Sequence, residues 1–362
     1  MKVNLIHRGK SFLLFRMPAI CLALSILMIS CTKKQIIHSD KQVADGKYDI
    51  AFPYGGDYKS IESILESVRL LNSSAFYESY SFPPDDRIKK KDLQPALFKD
   101  NKYPKSVYND FVVGTATIIY YKENRVAVLT CAHVVDFPDT IITYYEMGKV
   151  SEESVISTVS FKKRQTNYVA DLPQGEDYDI MAIDYKLDVA VLGKKLHGET
   201  DKSIRVFKYP TGAARELNWG SLVYLVGFPS GKKMITTGIV SSPNRDQNHN
   251  FLLDALFNRG FSGGIVLAIR DGLPNFELVG LVNAVAADKE VFLVPRDLGE
   301  LADLNFIVPY TGEIYAVPRK KINYGISYGI GIEAILDFLK QNKSSLQKAG
   351  YHFNDFFEPE AL

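Results

Sequence analysis

Apolar positions along the chain change their period twice. Between residues 59 and 72, Ile61, Ile64, Leu65, Val68 and Leu71 recur at helical spacing, which predicts a short amphipathic helix. From about residue 108 the pattern becomes a series of short runs rich in β-branched and aromatic residues: Phe111–Tyr121, Arg125–Thr130, Ile141–Tyr145, Val155–Phe161, Ile180–Asp184, Val189–Leu192, Leu222–Phe228 and Met234–Ser241. Gly264–Arg270, an Asp271-Gly272 turn, Phe276–Ala284 and Phe306–Pro309 continue the series, and helical spacing returns only at Ile332–Lys340. Strands so spaced predict an all-β fold, and the arrangement suits two packed six-stranded-type β-barrels closed by a C-terminal helix. The stretch Ser81–Ser106, with Pro83-Pro84-Asp85-Asp86 and Lys89-Lys90-Lys91, has no clear period and reads as linker or surface loop.

The N-terminus departs from this pattern. Lys2, Arg8, Lys10 and Arg16 precede the apolar run Met17–Ser30, which is too short to cross a bilayer as a helix and fits the core of a signal peptide. The run ends Leu27-Met28-Ile29-Ser30-Cys31, which resembles the bacterial lipobox, although Met28 stands where leucine is commonest. That resemblance implies that Cys31 carries lipid and becomes the mature N-terminus, anchoring the protein to a membrane of the bacterial cell envelope. The alternative is an incidental thiol behind an ordinary cleavage site. The expected organisation is a lipoprotein signal over 1–30, then a tether and N-terminal extension with its short helix over 31–107. The β domain follows over 108–342, and a C-terminal tail over 343–362.

Composition narrows the function. The chain has 362 residues, 46% hydrophobic and 23% charged, an ordinary globular balance. Lys and Arg total 43 against 42 for Asp and Glu, and without a long basic run nucleic acid is not an expected partner. Of the 3 cysteines, Cys21 would leave with the signal and Cys31 would carry lipid, so Cys131 has no partner for an intramolecular disulfide. It sits in the apolar run Val126–Ala132, where a buried small hydrophobe is the expected role. The 6 histidines form no close ligand pair and no Cys-x-x-Cys occurs, so neither a metal nor a cofactor is expected.

Three segments carry candidate chemistry. Leu129-Thr130-Cys131-Ala132-His133-Val134-Val135 places a histidine at a strand end, and Leu187-Asp188-Val189-Ala190-Val191-Leu192 an acid at the mouth of an apolar strand. Asn258-Arg259-Gly260-Phe261-Ser262-Gly263-Gly264 places a serine among glycines. Serine is a weak nucleophile at neutral pH, so acyl transfer needs a base to take its proton and a third group to orient that base. Each segment alone has a bland reading as a structural histidine, a turn aspartate or a loop.

Together, in the order His, Asp, Ser, they resemble the trypsin-like serine peptidases of chymotrypsin fold, and most of all the bacterial HtrA/Deg group. Val113-Gly114-Thr115-Ala116 is similar to the first strand of that family. Tyr224-Leu225-Val226-Gly227-Phe228-Pro229-Ser230-Gly231 and Thr237-Gly238-Ile239-Val240-Ser241 resemble its later strands, and Asp254-Ala255 a pair before the nucleophile loop. The resemblance covers roughly 110 to 340. It implies His133 as general base, Asp188 rather than Asp184 as its orienting acid, Ser262 as nucleophile, and the N–H groups of Gly260 and Ser262 as oxyanion hole. Leu281, Val282 and Asn283 would lie in the strand lining the specificity pocket.

The expected substrate is polypeptide, with unfolded chains favoured because that is the habit of the family. Arg259, Phe261 and Ile265 depart from the usual residues of the loop, and the frequent PDZ domain of the family has no room after the last helix. The charged and aromatic stretch 285–324 reads as an insertion. Gly260-Phe261-Ser262-Gly263-Gly264 also fits the α/β-hydrolase elbow, but Ile265–Ile269 continues as a strand where that elbow needs a helix. The other reading is a protease-fold lipoprotein that binds peptides without cleaving them.

Overall fold

The computed structural model describes residues 44–51, 57–99, 102–145, 150–175, 177–255, 258–295 and 314–357. Cys31, the signal segment and the strand expected at Phe306–Pro309 lie outside these residues. Helix α1 (Tyr58–Ser67) starts where the Asp57 carboxylate accepts the Ser60 N–H at 3.2 Å, an ordinary N-cap. It stops short of the predicted end because Val68 is already extended.

Val68–Ser81 is strand β1, flanked by β2 (Lys105–Lys122) and β5 (Ile156–Val169). Val68 and Leu71 fit a helical period, but hydrogen bonding of the main chain on both sides outweighs that local preference. The first sheet therefore begins at Val68 and not near 108, and residues expected in an extension supply one of its central strands. With β3 (Arg125–Thr130), β4 (Thr140–Tyr144), β6 (Asp179–Asp184) and β7 (Val189–Lys195) it has seven strands in the order β4-β5-β1-β2-β3-β7-β6. Between β1 and β2 the chain makes three short 3-10 turns and buries Phe82, Ile88 and Tyr103 against Ile156 and Val159, so this stretch is packed loop.

The second sheet closes as a six-stranded barrel. β8 (Leu222–Gly227), β9 (Met234–Ser242), β10 (Phe251–Leu253), β11 (Ile265–Ile269), β12 (Phe276–Pro295) and β13 (Ile314–Gly331) run in the order β10-β13-β12-β11-β8-β9. The all-β, chymotrypsin-like architecture is present as one closed barrel and one open half-barrel. The described part of the 285–324 insertion is the outer arm of the β12–β13 hairpin, paired from Val285↔Ser327 to Pro295↔Ile314.

Both chain ends hold the barrels. Helix α2 (Ala132–Val135) follows β3, and helix α3 (Ile332–Gln341) buries the stripe Ile332, Ile335, Phe338 and Leu339. The C-terminal tail, expected to lie outside the domain, docks on the first sheet through helices α4 (Lys343–Lys348) and α5 (Asn354–Phe357). Leu346, Tyr351, Phe353 and Phe356 are buried there, Tyr351 meets the Tyr120 ring edge-on at 5.6 Å, and Lys122 pairs with Asp355 at 2.6 Å. Burial pushes the Tyr351 hydroxyl up to about 12. At the other end, Asp49 bridges Ile269 and Leu222 by main-chain bonds, and Arg270 lies 4.1 Å from the Tyr48 ring centre. Inside the stretch 31–107 expected as tether and extension, packing on the second barrel has begun by Asp45, because Asp45 and Gly46 donate to the Asp271 carboxylate.

Candidate active site

Helix α2 is a single turn in which Ala132, Val134 and Val135 are buried. Three apolar anchors leave His133 as the residue turned outward, its side chain 44% exposed. The Asp188 carboxylate accepts twice from it: Oδ1 from the His133 main-chain N–H at 2.8 Å, and Oδ2 from Nδ1 at 2.7 Å. An ionised carboxylate can only accept, so Nδ1 carries the proton and Nε2 presents its lone pair.

Asp188 reaches this place from a turn and not from a strand. β6 ends at Asp184 and β7 starts at Val189, with Asp184 paired to Val189. Asp184 Oδ1 accepts the N–H groups of Lys186 and Leu187, both at 2.9 Å, a side-chain-built turn. The chain then enters the left-handed region at Asp188 (φ 63), a conformation that aspartate tolerates better than most residues. Sequence alternation treats the two aspartates alike on one continuous strand; the turn separates them and gives them different work.

Ser262 comes from the other barrel. Its carbonyl accepts the Thr115 N–H at 2.8 Å, and the Thr130 hydroxyl donates to the Thr115 carbonyl at 2.7 Å. Gly263 (φ 83) is pressed so closely on the first sheet that a Cβ there would stand 2.2 Å from the Thr115 carbonyl oxygen. Only glycine allows this approach, which brings the serine loop against Thr130 and Cys131, at the end of β3 where the chain enters the turn that carries His133. The Ser262 hydroxyl donates to the Asn283 carbonyl at 3.2 Å and makes no hydrogen bond to the imidazole.

The loop before the serine is held by a buried threonine. Thr115 Oγ1 donates to the Gly260 carbonyl at 2.7 Å and accepts the Phe228 N–H at 2.9 Å. The Arg259 carbonyl accepts the Ser230 N–H at 2.8 Å, which fixes the next peptide plane. Gly260 (φ 105) could carry no side chain, since its Cβ would lie 2.2 Å from the Phe228 carbonyl oxygen. Among the described residues the main-chain N–H groups of Gly260 and Ser262 have no hydrogen-bond acceptor. Phe261 is buried, with its ring against Gly227.

Residues 114–281 match the trypsin-like peptidase domain family. The matched span contains His133, Asp188 and Ser262 and ends just before Val282 and Asn283. It supports a peptidase built on this two-barrel fold. No curated protein matches the chain.

The predicted site residues divide. His133 and Asp188 are joined directly, and Ser262 is brought to the same interface. Leu281 and Val282 are fully buried, so their side chains belong to the core and cannot line a pocket, contrary to expectation. As neighbours on β12 they point to opposite faces, and both faces of the strand are covered here. What this segment offers a bound chain is main chain, together with the half-buried Asn283. Cys131 is free and buried, with burial and then the Asp188 charge pushing its thiol up. One sulfur, nitrogen or oxygen atom from each of Cys131, His133 and Asp188 lies within 4.8 Å of the others, a spacing a metal could use. The thiol instead donates to the Val282 carbonyl at 3.3 Å, and the other two are spent on each other.

Sequence reasoning missed Thr115 and Thr130 as parts of the site. The signal was available in the Val113–Ala116 segment, but nothing local says that a threonine hydroxyl will reach across to another barrel. Thr115→Val is expected to leave the Gly260 carbonyl and the Phe228 N–H unpaired, at roughly 1–3 kcal/mol each. As a positioning residue it should lower kcat with KM little changed, and Thr115→Ser should restore most of the loss. Steady-state kinetics of the two variants beside their thermal midpoints check this. Equal, purely thermal losses in both would leave Thr115 a structural residue only.

Proposed function

We propose that the chain is a serine endopeptidase that cleaves exported or unfolded polypeptide through an acyl-enzyme. The observation that carries this is the doubly bonded His133–Asp188 pair, 2.8 and 2.7 Å, with the Ser262 loop bonded to the same sheet through Thr115. In the mechanism Ser262 Oγ attacks the scissile carbonyl carbon while His133 Nε2 takes its proton. The oxygen that becomes negative is received by the N–H groups of Gly260 and Ser262. Collapse breaks the C–N bond, His133 returns the proton to the leaving amine, and an ester to Ser262 remains. Water, deprotonated by His133, hydrolyses that ester. Asp188 stays ionised and holds the imidazole in the tautomer both steps need.

The bond from Ser262 to the Asn283 carbonyl must be given up before attack, a rotation about one side-chain torsion. That same bond favours the second reading, a peptide-binding protein that keeps the fold without the reaction. A fluorophosphonate decides between them: it should label the purified protein, and label nothing after Ser262→Ala. No labelling of folded parental protein that still binds peptide would establish the binding module.

The HtrA/Deg resemblance supports unfolded polypeptide as substrate. The lipobox-like residues before Cys31 support a lipid anchor in the cell envelope, and among the described residues no helix is long and apolar enough to cross a membrane. Each buried methylene of an acyl chain contributes about 0.8 kcal/mol, so a multiply acylated Cys31 gives stable attachment. Cys31→Ser is expected to move the protein from the membrane to the soluble fraction on cell fractionation. A variant as membrane-bound as the parent would remove Cys31 as the anchor.

A further inference from the structure

The segment that begins at Ala44 crosses the end of the second barrel where β8 starts and β11 finishes. The Asp49 N–H donates to the Ile269 carbonyl at 2.9 Å, and the Asp49 carbonyl accepts from Leu222 at 2.8 Å. Gly272, in the turn from β11 to β12, donates its N–H to the Asp49 carboxylate at 3.1 Å. The approach to β8 is a tight turn, with the Ser221 N–H on the Asn218 carbonyl at 3.1 Å and Gly220 (φ 81) at its second corner. A type II turn needs that positive φ, which glycine supplies without strain. Trp219 takes the first corner and so stands at the tip.

Trp219 is the single tryptophan of the chain and is 70% exposed, while Ile50, the residue after Asp49, is 71% exposed. The main chain beneath both is pinned by the bonds just described, so the two side chains are presented from a fixed base. The charges around them are of both signs. Arg270 pairs with Glu216 and with Glu277, each at 2.9 Å, and exposed Lys47 and Arg215 stand near exposed Asp45 and Glu216. The barrel end therefore offers apolar contact with no strong preference for a charged partner.

This is also the end at which the chain arrives from Cys31. Only Thr32–Val43 lie between Cys31 and Ala44, and that stretch, fully extended, reaches about 40 Å. We propose that Trp219 and Ile50 rest in the interfacial layer of the membrane that holds Cys31, a second, non-covalent contact that sets how the domain sits. The proposal rests on the reading of Cys31 as lipid anchor. Tryptophan suits that layer, since its ring is apolar and its N–H finds acceptors among the headgroups. On a tether this short the contact is intramolecular, so a small apolar surface is enough. A second copy of the chain would need an interface far larger than two side chains.

The contact has a consequence for the catalytic residues. β8 runs from this end to Gly227, and the next residue, Phe228, donates to Thr115 beside the serine loop. β11 runs the opposite way, from Ile265 just after Ser262 to Ile269. Ser262 thus lies at the other end of these strands from Trp219, and a domain resting on Trp219 turns its nucleophile away from the lipid.

Because the chain has one tryptophan, its fluorescence reports on Trp219 alone. For the purified acylated protein in phosphatidylcholine vesicles, bromine on the acyl chains is expected to lower the emission roughly twofold, and added anionic lipid to change this little. Ile50→Asp should remove most of that quenching, with folding checked by circular dichroism. Undiminished quenching in Ile50→Asp would overturn the two-residue surface. Membrane-bound protein with equal emission in plain and brominated vesicles would overturn the proposal and leave the Cys31 anchor standing. Quenching of Cys31→Ser as strong as that of the parent would sustain the surface and defeat the anchor. Emission that moves to the blue with protein concentration, in the absence of vesicles, would overturn the proposal and assign the patch to a second copy.

Discussion

Replacing Ser262 by Ala is expected to lower the turnover number on unfolded casein by about 10⁶-fold, with His133→Ala costing a similar factor and the double variant hardly more. Serine and histidine act as one unit: without the base the hydroxyl is a poor nucleophile, and without the hydroxyl the base has no proton to take. Loss of either removes the same step, so the two losses do not multiply. The small activity that remains comes from donors and binding groups that both variants keep. The Ser262 hydroxyl makes one long bond, to the Asn283 carbonyl, whereas the loop is held by main-chain bonds from Thr115 to Ser262, Gly263 to Val282 and Gly264 to Phe261. Ser262→Ala should therefore fold as the parent does, which circular dichroism checks. Multiplying losses in the double variant would mean that the two residues work independently, and the triad would have to be abandoned.

Asp188→Asn is expected to lower the turnover number by about 10⁴-fold. The carboxylate now serves two donors of His133, its main-chain N–H and Nδ1. An amide has one oxygen for these two. If that oxygen keeps the main-chain bond, the amide nitrogen faces Nδ1 and forces the imidazole proton onto Nε2, where it blocks acceptance from Ser262. Asp184→Asn is expected to do far less, because an amide oxygen can still accept the Lys186 and Leu187 N–H groups that shape the turn. Kinetics on casein measure both. A larger loss from Asp184→Asn than from Asp188→Asn would reverse their roles.

Several elements were legible in the chain because their signals are local. β3 is bounded as its apolar run predicts, and β8, β9 and β11 lie within a residue of expectation, since short β-branched runs between turn residues leave little choice of end. The helix at Ile332 likewise follows its apolar stripe. β1 was not legible: Val68, Leu71 and the residues between them satisfy a helix as well as a strand, and only the neighbours on both sides decide. β13 was hidden because lysines, arginine and proline along its outer half look like surface loop. The C-terminal tail was hidden for a different reason. Its aromatic residues are spaced without a period, and their burial depends on a surface formed by Tyr120 and Gly193 in the other barrel.

By itself the sequence determined the fold class, and it marked which histidine, aspartate and serine to examine. Short β-branched and aromatic runs between turns commit the chain to strands, and three chemically matched segments in one order leave few alternatives. The tertiary structure alone decided how these residues meet. The Asp184 turn aims Asp188 at His133, Gly263 lets the serine loop touch the first sheet, and Thr115 ties the Gly260 carbonyl into place. It also buried Leu281 and Val282 on the two faces of β12. Each of these depends on groups in separate strands approaching within hydrogen-bond or contact distance. Such approaches are set by the packing of two barrels, and no window along the chain contains both partners.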